Sequence, residues 1–280
     1  MVSLTLEISV MQSQTIVVVR DIEREFPVHA IPSGEVYADL CDLHEYCTFS
    51  SNVYEEEGDR VSIPDWVLFE RPNIPQKPQW KIEIGGLGCE AWVKKRSESN
   101  NVALIVFRGT DFKQTGDWFS NLRWITRFIP FTWDQYAQTR ELIPPLVDRI
   151  RQKFGDETII MTTGHSLGGG LAQQAAYISE HIKLVFAFDA STVTGYYDVP
   201  RKVRINNSKN MKIYRVYEHG EILAYLRLLF KALYPVTSKD PKIVEIRYNL
   251  TSGNPIGQHS IKNLALALNQ IAASLSRASQ

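Results

Sequence analysis

Cysteine is scarce in this chain: Cys41, Cys47 and Cys89 are the only three in 280 residues. An odd number cannot all pair within one chain, and no metal-ligand spacing links them. They read as free thiols in a protein that does not depend on disulfides. An excess of charge is also missing, since 31 basic side chains meet 31 acidic ones. That balance argues against nucleic acid as the main partner, which calls for a basic excess, but leaves room for a local basic patch facing a membrane surface. No apolar run approaches the roughly 18 residues that a membrane span needs. The first twenty residues, MVSLTLEISVMQSQTIVVVR, lack a basic leader, a firm apolar core and an A-x-A-like cleavage site. These absences predict a soluble chain without signal peptide or transmembrane segment, cytoplasmic or exported without a cleavable signal.

What is present suits one large α/β domain: 44% hydrophobic and 22% charged residues over a length that can bury a sizeable core. A strand is expected around Thr15 to Val19, or a loosely attached arm there. Helical spacing follows from Glu35 to Tyr46, then a polar, proline-rich surface excursion from Ser50 to Pro78. Strands are expected at Cys89 to Lys94, Val102 to Phe107, Thr158 to Thr163, Leu184 to Phe188, Met211 to Tyr217 and Val244 to Tyr248. Helices are expected at Asp134 to Phe154, bent or broken by Pro144-Pro145, at Gly168 to Ser179, and at Ile261 to Leu275. Strands alternating with helices imply a mostly parallel sheet covered on both faces.

One stretch carries chemistry. Gly164-His165-Ser166-Leu167-Gly168 matches G-x-S-x-G, with a β-rich run before it and a helical run after it. That is the sequence of a nucleophile elbow, a sharp strand-to-helix turn that exposes a serine. A serine hydroxyl is a weak nucleophile until a base takes its proton and a carboxylate orients that base. Three histidines follow Ser166. His181 comes before any suitable acid and reads as a surface residue, and His219 lies among the acid candidates. His259 stands just before the last helix, where Ser260 can cap that helix, and is the expected base. Asp189, Glu218 and Glu221 are the acid candidates, each at or just past the end of a strand.

Four segments together resemble the class 3 lipase family, the fungal-type lipases. Ala103 to Thr110 looks like its strand followed by F-R-G-T, and Asp117-Trp118 with Asn121-Leu122 resembles its D-W-x-x-N-L segment. Thr163 to Gly169 is similar to its G-H-S-L-G-G elbow, and Arg215-Val216-Tyr217 with Glu221-Ile222-Leu223 to its acid-bearing segment. The resemblance implies an α/β-hydrolase fold, with residues 1–34 an N-terminal strand or arm and 35–280 a single domain. It implies Ser166 as nucleophile, His259 as base and Glu221 as acid, with Glu218 and Asp189 as alternatives. It puts the oxyanion hole at Thr110 and Leu167, and reads Asp117, Trp118 and Asn121 as structural anchors.

The expected function is a serine carboxylic ester hydrolase, a lipase cleaving acyl esters of lipids through an acyl-enzyme and needing neither metal nor organic cofactor. Two alternatives stand beside it. One is a phospholipase A-type enzyme, with a secreted effector among its roles, and the other a catalytically silent lipid-binding protein of the same fold. The expected partner is a lipid or other acyl ester, with transient contact to a membrane surface. Two aromatic or apolar stretches, Trp118 to Trp133 and Leu223 to Val236, suit a lid, a groove edge or an interfacial helix, or ordinary packing.

Overall fold

The structure, a computed structural model, describes residues 16–20, 25–29, 42–95, 100–109, 132–218, 220, 223, 240–251 and 255–278. The strands are β1 (Ile16–Arg20), β2 (Glu25–His29), β3 (Trp66–Glu70), β4 (Ile82–Ile84), β5 (Gly88–Lys94) and β6 (Val102–Arg108). They continue as β7 (Thr132–Asp134), β8 (Ile159–His165), β9 (Ile182–Phe188), β10 (Lys212–Glu218) and β11 (Lys242–Tyr248). The helices are α1 (Leu43–Asn52), α2 (Gln135–Phe154), α3 (Leu167–Ile178), α4 (Arg201–Asn207), α5 (Pro255–Gln258) and α6 (Ile261–Ala278).

Nine strands form one sheet in the order β2-β1-β11-β10-β9-β8-β6-β5-β3, and β4 pairs with β7 apart from it. The five strands from β6 to β11 in that order run parallel. The outer strands β5, β3, β1 and β2 join antiparallel. A parallel sheet buries both faces, and β6 shows how its sequence serves them. Successive side chains point to opposite sides of a strand. Ala103, Ile105 and Phe107 therefore enter one core with Leu142, Ile143 and Leu146 of α2 and Leu171 and Ala175 of α3. Leu104 and Val106 enter the other, with Leu43, Tyr46 and Phe49 of α1 and Leu264 and Leu268 of α6. This is the mostly parallel, doubly covered sheet of the α/β-hydrolase fold.

Three expectations shift. Helix α1 begins at Leu43 and runs on to Asn52, later than the spacing of Val36, Leu40 and Leu43 predicted; residues 35–41 lie outside the described residues. Helix α2 is unbroken through Pro144 and Pro145. Both prolines are exposed, while Ile143, Leu146 and Val147 hold the helix to the sheet. The proline-rich excursion also contributes an edge strand, β3, because Trp66 has two anchors on α1. Its ring packs edge-on against Phe49 with centroids 5.2 Å apart, and its indole N–H donates to Glu45 at 2.8 Å.

Helix α2 is capped by Asp134, whose carboxylate accepts from the Ala137 amide at 2.8 Å. Cys47 and Cys89 are free and buried; Cys41 lies outside the described residues. Among the described residues no helix is long and apolar enough to cross a membrane.

Candidate active site

The carboxyl ends of β6, β8, β9 and β10 stand side by side and carry Arg108-Gly109, His165-Ser166, Asp189 and Glu218. This is where parallel sheets bind ligands, because side chains there leave the strands and converge on one rim. Ser166 sits between β8 and α3 with φ 55° and ψ −121°. A non-glycine residue rarely adopts that geometry, and it costs on the order of 1–3 kcal/mol. The motif glycines make the turn possible. A Cβ on Gly164 would collide with the Gly168 carbonyl group, and one on Gly168 with the Phe107 carbonyl oxygen. Main-chain bonds hold the turn. The Ser166 amide donates to Phe188 O at 3.0 Å, and its carbonyl accepts from Gly169 and Ser191 at 3.1 and 3.0 Å.

His259 follows the single turn α5 and precedes α6. Ser260 caps α6 as expected, its hydroxyl accepting from the Asn263 amide at 3.4 Å. Asp189 follows β9 with φ 40°, another non-glycine residue in the left-handed region. Ser166, His259 and Asp189 are all buried. Ligand atoms of His165, Asp189 and His259 lie within 4.8 Å of one another. Two imidazoles and a carboxylate are a donor set able to hold a divalent cation. One His165 nitrogen is already engaged, however: Nε2 stands 3.0 Å from the His259 carbonyl oxygen. A carbonyl can only accept, so this bond needs the His165 proton on Nε2.

Around that bond runs a chain of contacts that the sequence did not reveal. The Tyr54 hydroxyl accepts from the Gly109 amide at 2.8 Å and donates to the His165 carbonyl oxygen at 3.4 Å, with His165 Nδ1 also at 3.4 Å. The rings of His165 and His259 lie 4.7 Å apart at 47°. His165 is the variable position before serine in G-x-S-x-G and the histidine of the G-H-S-L-G-G resemblance, and neither assigns it a contact with His259. Tyr54, 111 residues upstream of His165, offers no sequence signal at all.

The acid candidates separate in space. Asp189 belongs to the histidine cluster. Its Oδ1 accepts from the Glu218 amide at 3.0 Å, and its own amide donates to Val216 O at 2.8 Å. Glu218 is fully buried, and its Oε1 accepts from the Leu250 and Thr251 amides at 2.6 and 3.1 Å. Burial pushes its carboxyl above the usual range, and those two amides pull the other way. Glu221, Thr110, His219 and the segment of Asp117, Trp118 and Asn121 lie outside the described residues, as does nearly all of the two apolar stretches. Leu167 opens α3 and is buried. His181 is exposed, its Nε2 3.0 Å from Arg151 Nη1.

The rim of the sheet and the elbow define an ester hydrolase of α/β-hydrolase fold. Residues 46–235 match the phospholipase-like family model, the Tle-like phospholipase domain, and the chain belongs to that family. It is thus a lipid ester hydrolase of lipase-like fold; membership of the class 3 lipases is not what the match establishes. Among solved structures, lipase II of Rhizopus niveus is 13% identical, with 72% of this chain and 78% of that chain covered at a TM-score of 0.44. The M37 lipase is 13% identical over 85% of this chain and 94% of that one, also at 0.44. The esterase of Pyrobaculum calidifontis is 11% identical over 87% and 94%, at 0.42. No curated protein sequence matches this chain.

Proposed function

We propose that the protein hydrolyses acyl esters of phospholipids as a phospholipase A-type enzyme, with Ser166 as nucleophile, His259 as general base and Asp189 as the acid that orients it. The observation that carries this reading is convergence. Ser166 stands in a strained elbow directly after His165, and His165, buried His259 and buried Asp189 have ligand atoms within 4.8 Å of one another. The family match supports the phospholipid as substrate class. Asp189 is preferred to Glu218 because Glu218 Oε1 is taken by two main-chain amides. It is preferred to Glu221, the residue in the acid's place by resemblance, on the strength of the observed cluster.

The chemistry follows acyl transfer. His259 takes the Ser166 proton as Oγ bonds to the ester carbonyl carbon, and the carbonyl electron pair moves onto its oxygen. The Leu167 amide, at the positive end of α3, is one donor to that oxyanion, and by resemblance Thr110 supplies the other. Collapse breaks the ester C–O bond, and His259 returns the proton to the departing lysophospholipid. Water, deprotonated by His259, then attacks the acyl-serine and releases the fatty acid.

Turnover of phospholipid vesicles and of a triacylglycerol emulsion tests the substrate class, with faster fatty acid release expected from the vesicles. Ser166→Ala is expected to lower kcat on the order of 10⁶-fold, and Asp189→Asn by roughly 10⁴-fold. An Asp189→Asn enzyme with parental kcat, alongside an inactive Glu221→Gln enzyme, would move the acid to Glu221. Failure of Ser166 to react with a fluorophosphonate would instead favour a silent lipid-binding protein.

A further inference from the structure

Glu218 has no role in the triad just described, yet it is a fully buried ionisable residue at the rim of the site. Three hydrogen bonds tie it to the elements that carry the acid and the base. Its amide donates to Asp189 Oδ1 at 3.0 Å. Its Oε1 accepts from Leu250 and Thr251, just past the end of β11, at 2.6 and 3.1 Å. From there the path to the base is short. The Thr251 carbonyl accepts from the Gln258 side chain at 3.4 Å, and Gln258 is the neighbour of His259. A Cβ on Gly220 would collide with that same Gln258 amide, so the chain just after Glu218 packs directly against the turn before the base. Glu218 Oε2 is buried and has no hydrogen-bond partner among the described residues.

We propose that Glu218 is a positioning residue that clasps the acid to the base: its amide orients the Asp189 carboxylate while its side chain anchors the segment leading to His259. The residue needs an oxygen at Oε1 for this task. It does not need a negative charge, and that separates a clasp from a triad acid. Glutamine keeps the oxygen, the length and the shape, and its NH₂ occupies the place of Oε2. Alanine removes the anchor and leaves two amides at the loop without an acceptor. Aspartate keeps the charge and shortens the reach by one methylene.

The inference rests on the triad of Ser166, His259 and Asp189, and the experiment separates the two. Steady-state hydrolysis of a short p-nitrophenyl ester is measured for the parent and for Ser166→Ala, Asp189→Asn, Glu218→Gln, Glu218→Ala and Glu218→Asp, with folding followed by circular dichroism. Glu218→Gln is expected to keep kcat within about tenfold of the parent. Glu218→Ala is expected to lose about 100-fold in kcat with little change in KM, the scale of a displacement of about 1 Å in a reacting group. Where Glu218→Ala does not fold, Glu218→Asp carries the test, with a loss of at least about tenfold expected from the shortened reach. A Glu218→Gln enzyme as impaired as Asp189→Asn would make Glu218 the acid and overturn the proposal. Parental kcat in both Glu218→Ala and Glu218→Asp would overturn it as well. Parental activity in Ser166→Ala would instead overturn the triad, whatever the Glu218 variants do.

Discussion

His165 Nε2 and the carbonyl oxygen of His259 stand 3.0 Å apart, joining the elbow at Ser166 to the turn that carries His259, the proposed base, across 94 residues of chain. The bond is buried, so its loss removes the His165 donor from the carbonyl and one anchor from the turn. With Tyr54 the connection extends to Gly109 at the exit of β6. His165→Ala is expected to lower kcat about 10- to 100-fold through displacement of His259. Tyr54→Phe removes the acceptor of the Gly109 amide and is expected to cost about 1–3 kcal/mol of stability. Steady-state kinetics and urea unfolding check the two; unchanged kcat in His165→Ala would remove the link between His165 and a catalytic His259.

Glu218 also leaves a mark on stability. Burial holds its folded carboxyl above the ordinary range despite the two amides it accepts from. A group with a raised folded value contributes stability below its unfolded pKa and loses it as pH rises through the folded value. Glutamine has no charge to bury. Glu218→Gln is therefore expected to melt at a higher temperature than the parent at neutral pH, with the gap closing as pH falls below about 4. Thermal melts at a series of pH values read this directly, and a gap that stays constant with pH would contradict it.

Glu90 behaves in the opposite sense. Burial alone would raise its carboxyl, but hydrogen bonds from Arg60, Arg71 and Trp92 outweigh it and hold the group below the usual range. A lowered folded value means stability present above the unfolded pKa and lost as pH falls through the folded one. Glu90→Ala is expected to destabilise by about 2–3 kcal/mol at pH 7, since it takes the carboxylate from the part-buried Arg60 guanidinium. The difference from the parent should shrink below about pH 4. Urea titration at pH 7 and pH 3.5 measures both values.

Much of this molecule was legible in its residues because the relevant physics is local. The unbroken apolar run Val102 to Phe107 is a strand facing two cores, and the small residues of Gly164 to Gly170 are what a strand-to-helix reversal requires. Pro144-Pro145 misled, since proline breaks a helix only where nothing else holds it, and here the buried face of α2 does. The edge strand β3 was hidden in a proline-rich stretch because its register depends on Trp66 meeting α1, a contact between distant parts of the chain.

The candidate acids show the same division most clearly. By itself the sequence determined the elbow at Ser166, the helix capped by Ser260 and a short choice of carboxylates at strand ends, all matters of neighbours within a few residues. Only the tertiary structure decided which of the described carboxylates stands with His165 and His259, and that Glu218 turns its oxygen toward the loop amides instead. Strand order and twist set those directions, and strand order arises from pairings between residues far apart in the chain.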